Sequence, residues 1–257
     1  MSRAASSSAE EDKRVGAFTV VATVAAVIAG AIASISGFGI GSVLTPVLST
    51  QFDVRLAIAM VSLPHLAGTF VRFLIVRTRI DREVLLGFGA ASAIGGLVGA
   101  ALQTVVQSTA LSVMFGVLLV FAGVGSLTGF AQRMRFSGHR TALVGGALSG
   151  LLGGLVGNQG GIRAAALLGF DVEREAFVAT ATAVALIVDG ARIPVYLATQ
   201  GADLAAHWPL IVVLSIGAVV GTLVGGSALR RMNDVVFRRV VGVLLLLLGF
   251  YTLARAV

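Results

Sequence analysis

Cysteine is absent from this chain of 257 residues, which excludes disulfides, thiolate metal sites and thiol redox chemistry. Charge is scarce as well. Asp, Glu, Lys and Arg make up 12% of the residues, where a soluble domain carries about 25%. No charged residue occurs between Glu83 and Arg133, a stretch with room for two helices and nothing to hold it in water. Neither a nucleophile–base pair nor a metal-ligand cluster stands out, which argues against an enzyme and calls for no cofactor.

What the chain does have is apolar length. Hydrophobic residues make up 57% of it and the mean hydropathy is +0.98, the profile of a polytopic membrane protein. The net charge of +7 does not point to nucleic acid, because the arginines lie mainly in short loops between apolar segments, where they orient membrane helices. Residues 1–14 read as a disordered tail. The apolar run that follows, ending near Ala31-Ile32-Ala33, is about 20 residues long, longer than a signal-peptide core. It has a counterpart at 141–156 and reads as a retained transmembrane segment.

The chain is duplicated. Ser36-Gly37-Phe38-Gly39-Ile40-Gly41-Ser42 corresponds to Val156-Gly157-Asn158-Gln159-Gly160-Gly161-Ile162 at an offset of 120 residues, and the same offset carries Arg72 onto Arg192. Farther on, Gly95, Leu97, Val98 and Gly99 recur as Gly221, Leu223, Val224 and Gly225, and Gly116-Val117-Leu118-Leu119 recurs as Gly242-Val243-Leu244-Leu245. A repeat this long is architectural. Each half is expected to hold a Gly-interrupted segment (15–50; 141–169) and three helices, about 56–76, 84–104 and 109–130, then about 175–198, 207–228 and 236–254.

Loop charge assigns the halves opposite orientations. Arg77, Arg79 and Arg82 follow the first of the three helices in half one, and the equivalent loop Thr199 to Ala206 has no Lys or Arg. Conversely, loop 103–109 is uncharged and its equivalent carries Arg230, Arg231, Arg238 and Arg239. The expected fold is therefore an all-α polytopic membrane protein of two inverted repeats, each a Gly-broken re-entrant segment plus three transmembrane helices. Residues 15–130 form the first repeat, 131–140 a cytoplasmic linker with Arg133, Arg135 and Arg140, and 141–257 the second.

Inverted repeats with broken helices place a substrate near the bilayer midplane. Gly95, Gly96, Gly99, Gly221, Gly225 and Gly226 are spaced like packing seams, but a Gly-x-Gly-x-Gly run before Thr45-Pro46 cannot sustain a good helix. A chain that breaks in lipid turns its freed backbone groups toward protein or a polar cavity, and amides opening a second short helix favour an anion. The candidate substrate-binding residues are Ser36, Gly37, Phe38, Gly39, Ile40, Gly41, Ser42, Gly157, Asn158, Gln159, Gly160 and Gly161, with Arg72, Arg192 and Arg163. An arginine at a helix centre costs about 2.5–3.5 kcal/mol on the insertion scale. Arg72 and Arg192 either hold an oxyanion by bidentate hydrogen bonds or snorkel to the headgroups. Arg163 is open in the same way. Asp189, one turn before Arg192, can pair with it. Asp189 and His65, the latter the sole mid-helix histidine, are the proton-coupling candidates.

At these residues the chain resembles the TauE/SafE family of sulfite and organosulfonate transporters, the TSUP permeases. Gly37, Gly39, Gly41 and Pro46 match the first copy of that family's G-x-G-G-G-x-x-x-x-P run, and Ala57-Ile58-Ala59 the helix after it. Gly157, Gly160, Gly161 and Val178-Ala179-Thr180 match the second. Ile40 interrupts the first glycine triplet, Asn158-Gln159 replaces a small or apolar pair, and Ala166 stands where proline is typical. The resemblance covers about residues 15–255 and implies transport of a small anion, such as sulfite or a sulfonate, coupled to protons. The partners expected are that anion, protons and the lipid bilayer, and the reading admits a homodimer. The expected activity is secondary transport, more specifically export, by alternating access. The alternatives are an anion channel and a non-transporting membrane scaffold.

Overall fold

The computed structural model describes residues 2–36, 39–129, 139–157, 160–167, 170, 173–229 and 234–256. Among them every regular element is helical, as a chain that must satisfy its own backbone in lipid requires. In half one, α1 (Ser2–Ser36) and the short α2 (Ile40–Leu48) are followed by α3 (Val54–Val76), α4 (Arg82–Gln103) and α5 (Ser108–Thr128). Half two repeats the series as α6 (His139–Val156), α7 (Gly160–Leu167), α8 (Arg174–Ala206), α9 (Trp208–Leu229) and α10 (Asp234–Ala256). Each glycine-rich segment is thus a helix, a break and a shorter helix. Asp53 and Asp81 cap α3 and α4, their carboxylates accepting from the amides of Arg55 and Val84.

Among the described residues seven helices are long and apolar enough to cross a membrane. Large apolar side chains point outward along them, Leu86, Ile94 and Leu247 among the most exposed, the reverse of a water-soluble surface. The two broken segments differ in length. The apolar part of α1, Arg14–Ile35, could itself cross, whereas its counterpart Leu143–Val156 is shorter. Two boundaries depart from expectation. α1 begins at Ser2 and takes in most of the stretch expected as a tail. α8 runs on to Ala206, through residues expected as a loop, with a non-helical kink at Gln200 (φ −134°, ψ 18°).

The halves are interleaved. α4 packs on α6 of the other half, and α9 on α1. A side chain at Gly95 or Gly99 would overlap the carbonyls of Ala147 and Leu151. One at Gly221 would overlap the Val27 carbonyl, and one at Gly225 the Cα and Cβ of Ala31. The two seams correspond residue for residue under the repeat, and backbone contact this close is what small residues allow between membrane helices. α5 and α10, themselves equivalents, pack with Gly116 against Gly249 and Gly123 against Gly242, so they run antiparallel.

α3 and α8, equivalents as well, also run antiparallel and line the middle. Just beyond the end of α3, the Asp81 amide donates to Thr180 Oγ1 near the start of α8 (3.0 Å), and Arg79 pairs with Glu175 (3.4 Å). At the opposite end Arg55, at the start of α3, donates through Nη2 to the Val106 carbonyl (2.6 Å). There Gln200 Nε2, late in α8, donates to Gln103 Oε1 (3.2 Å). The main apolar core gathers around the breaks, with Ile40, Leu44 and Leu48 of α2, Ile58 of α3, and Leu155 and Val156 of α6.

Candidate functional site

The two breaks touch. Gly39 (φ 145°) precedes α2 and Gly157 (φ 74°) follows α6. Both lie in the region that favours glycine, which explains why the breaks fall there. Gly41, in the first turn of α2, lies so close to the other break that a Cβ on it would come within 2.5 Å of the Gly157 carbonyl oxygen. Ile40, Gly41 and Ser42 open α2 and are buried, and Gly160 and Gly161 open α7. α2 therefore presents its partly positive end in the interior. Thr45, fully buried on α2, has a hydroxyl with no hydrogen-bond partner among the described residues. Ser36 ends α1, and its side chain lies outside the described residues, as do Gly37, Phe38, Asn158 and Gln159 entirely.

A helix that stops in lipid leaves carbonyls to be satisfied, and long polar side chains supply the donors. In the last turn of α6, Arg192 Nη1 donates to the Gly153 carbonyl (2.6 Å), the Tyr196 hydroxyl to that of Gly154, and Gln103 Nε2 to that of Leu155 (3.3 Å). In the last turn of α1, Arg72 Nη1 donates to the Ala33 carbonyl. Ala33 and Gly153 are repeat equivalents, and each arginine lies 39 residues beyond its acceptor. A cation at a helix C-terminus also opposes the helix dipole. The repeated arginines therefore hold the two breaks by the same contact. Neither snorkels to the surface in this chain, with Arg72 at 5% exposure and Arg192 at 1%.

A charged cluster joins the halves beside these contacts. Asp189, fully buried on α8, takes Arg192 Nε (3.0 Å) and Nη2 (2.8 Å) on Oδ1, as their spacing allows. Its Oδ2 meets His65 Nδ1 of α3 at 2.7 Å. Arg163, in the first turn of α7, is 3% exposed and lies within electrostatic reach of Asp189, Arg72 and Arg192. Its one hydrogen bond among the described residues runs from Nη1 to the Ala181 carbonyl (3.3 Å), and Nε and Nη2 are buried without partners. Among the described residues Arg163, Arg192 and His65 thus gather around one buried carboxylate, Asp189. No group of three His, Asp or Glu there could hold a metal ion. A hollow of about 410 Å³ between the end of α5 and the start of α10, lined by Arg238, Arg239 and Ser126, includes none of these residues.

The structure brings Gly39, Gly41, Gly157, Arg72, Arg192, Arg163, Asp189 and His65 into one interior region. Sequence reasoning missed Tyr196, Gln103 and Gln200. A signal existed for Tyr196, which stands one helical turn beyond Arg192 on the face that carries Asp189.

Residues 22–252 match the family model described as Sulfite exporter TauE/SafE. No curated protein matches the chain, and no solved structure does.

Proposed function

The chain belongs to the sulfite exporter TauE/SafE family and is a multi-pass membrane transporter rather than an enzyme, and we propose that it exports a small sulfur-containing or organic oxyanion as a secondary transporter. The observation that carries this reading is the buried guanidinium of Arg163 beside the crossing of the breaks, whose Nε and Nη2 have no hydrogen-bond partner among the described residues. Uncompensated charge is costly away from water, and an anion that enters between the two short helices offsets it. The antiparallel course of α3 against α8 and of α5 against α10 supports opposite orientations of the two halves. Rocking of one half against the other then opens the same site to each side in turn.

The hydrogen bond between His65 and Asp189 supports proton coupling, because it joins the two halves. A proton taken up by this pair changes the charge of a cluster shared with Arg192, Arg163 and Arg72, in step with the charge that the anion carries. Reconstituted into liposomes, the protein should accumulate sulfite or a sulfonate against its gradient when a pH difference is imposed. Anion conductance without accumulation overturns the carrier reading and makes the protein a channel.

A further inference from the structure

The duplication sorts the buried arginines into two kinds. Arg72 and Arg192 are repeat equivalents and make the same contact to equivalent carbonyls. Arg192 is fully used, with Nε and Nη2 on Asp189 and Nη1 on Gly153. Arg163 has no repeat equivalent, because residue 43 at that place in half one is valine. Nor are His65 and Asp189 duplicated, their counterparts being Ala185 and Thr69. What the fold needs twice, to hold two breaks, it has twice. A ligand held once at the crossing of two repeats needs its ligating group once.

We propose that Arg163 is the anion-binding residue of this interior, and that Arg72 and Arg192 are positioning residues that hold the broken helices around it. The assignment rests on the transporter reading above. Its geometry is specific, since Nε and Nη2 of Arg163, which have no partner among the described residues, form one edge of the guanidinium, with their N–H bonds parallel. That edge matches two oxygens of one acidic group. The ligand class is therefore an oxyanion that presents two acceptor oxygens on one side, as sulfite, thiosulfate and sulfonates do. A halide is a single acceptor that both donors must share, so it cannot give each N–H an oxygen of its own and is the weaker match. Nη1, bonded to the Ala181 carbonyl, tethers the guanidinium to α8, and the first turn of α7 adds its amide dipoles.

Stability and binding should separate in the Arg163 variants. Replacing an uncompensated buried charge by an apolar side chain of similar length is neutral or stabilising, so purified full-length Arg163→Met should melt at or above the wild-type temperature. Titrations with sulfite, thiosulfate, methanesulfonate, taurine and chloride then read the site. Wild type should be stabilised more strongly by the oxyanions than by chloride at equal concentration, and Arg163→Met should show no anion-dependent shift. Arg163→Lys, which keeps the charge and loses the fork, should bind between about tenfold and a hundredfold more weakly, as expected for one lost charge-assisted hydrogen bond. Oxyanion affinity in Arg163→Met and Arg163→Lys equal to that of wild type overturns the assignment while leaving the transporter reading intact. Failure of both variants to fold also overturns it, since it would make Arg163 a structural cation. If no anion stabilises wild type, the transporter reading falls and takes the assignment with it.

Discussion

Arg192→Met tests whether the buried ion pair, rather than its hydrogen bonds, holds the centre of the molecule. Arg192 is 1% exposed and donates to Asp189 from two nitrogens and to the Gly153 carbonyl from the third. After substitution that carbonyl keeps its bond from the Gly157 amide (3.1 Å), so its loss costs little. Asp189 fares worse. Fully buried, it loses both bonds to Oδ1 and keeps the one from His65 to Oδ2. Breaking a buried pair on one side costs about 3–5 kcal/mol, whereas hydrogen bonds between membrane helices average about 0.6 kcal/mol. The two accounts therefore differ severalfold in what they expect. Unfolding in mixed detergent micelles should show Arg192→Met destabilised by about 3 kcal/mol or more, with most of that recovered in the double variant Arg192→Met/Asp189→Asn, which removes the stranded charge. A loss below about 1 kcal/mol for the single variant, the scale of an ordinary hydrogen bond, refutes the reasoning. So does a double variant no more stable than the single one.

Two further outcomes follow from the packing and the orientation. A side chain at Gly99 would overlap the Leu151 carbonyl, whereas nothing lies within 4 Å of one at Gly190. Gly99→Ala should lower the unfolding free energy by about 1–3 kcal/mol and Gly190→Ala should raise it by about 0.5–1 kcal/mol, both read by denaturation. Because the chain has no cysteine, single cysteines report sidedness without background. Thr78→Cys and Ala202→Cys, exposed at equivalent ends of α3 and α8, should react with an impermeant thiol reagent from opposite faces of the membrane, and labelling of both from one face rules out the inverted arrangement.

Much of the architecture is legible in the order of residues. A charge-free stretch from Glu83 to Arg133 can be little other than membrane helices, and the glycine runs at 37–41 and 157–161 mark breaks because glycine is a poor helix former. The i, i+3 spacing of Asp189 and Arg192 reaches across one helical turn, so their pairing is readable from sequence too. Contacts between distant segments are not. Gln103 reaches Leu155 across 52 residues and His65 reaches Asp189 across 124, separations that no local periodicity encodes.

The arginines divide along the same line. Sequence alone determined that Arg72 and Arg192 are duplicates and that Arg163 is not, because duplication is a property of order along the chain. It also placed all three in apolar surroundings, where a cation must find a partner or a way out. Which of these each found was decided only by the tertiary structure. The repeats interleave so that α1 and α6 end inside the protein, and their last carbonyls draw Arg72 and Arg192 inward. Arg163, on the short helix beyond the second break, is enclosed by the same packing, with one edge of its guanidinium unmatched among the described residues. The physical reason is that burial and hydrogen-bond closure depend on what surrounds a group from every side, and a linear pattern specifies only its neighbours along the chain.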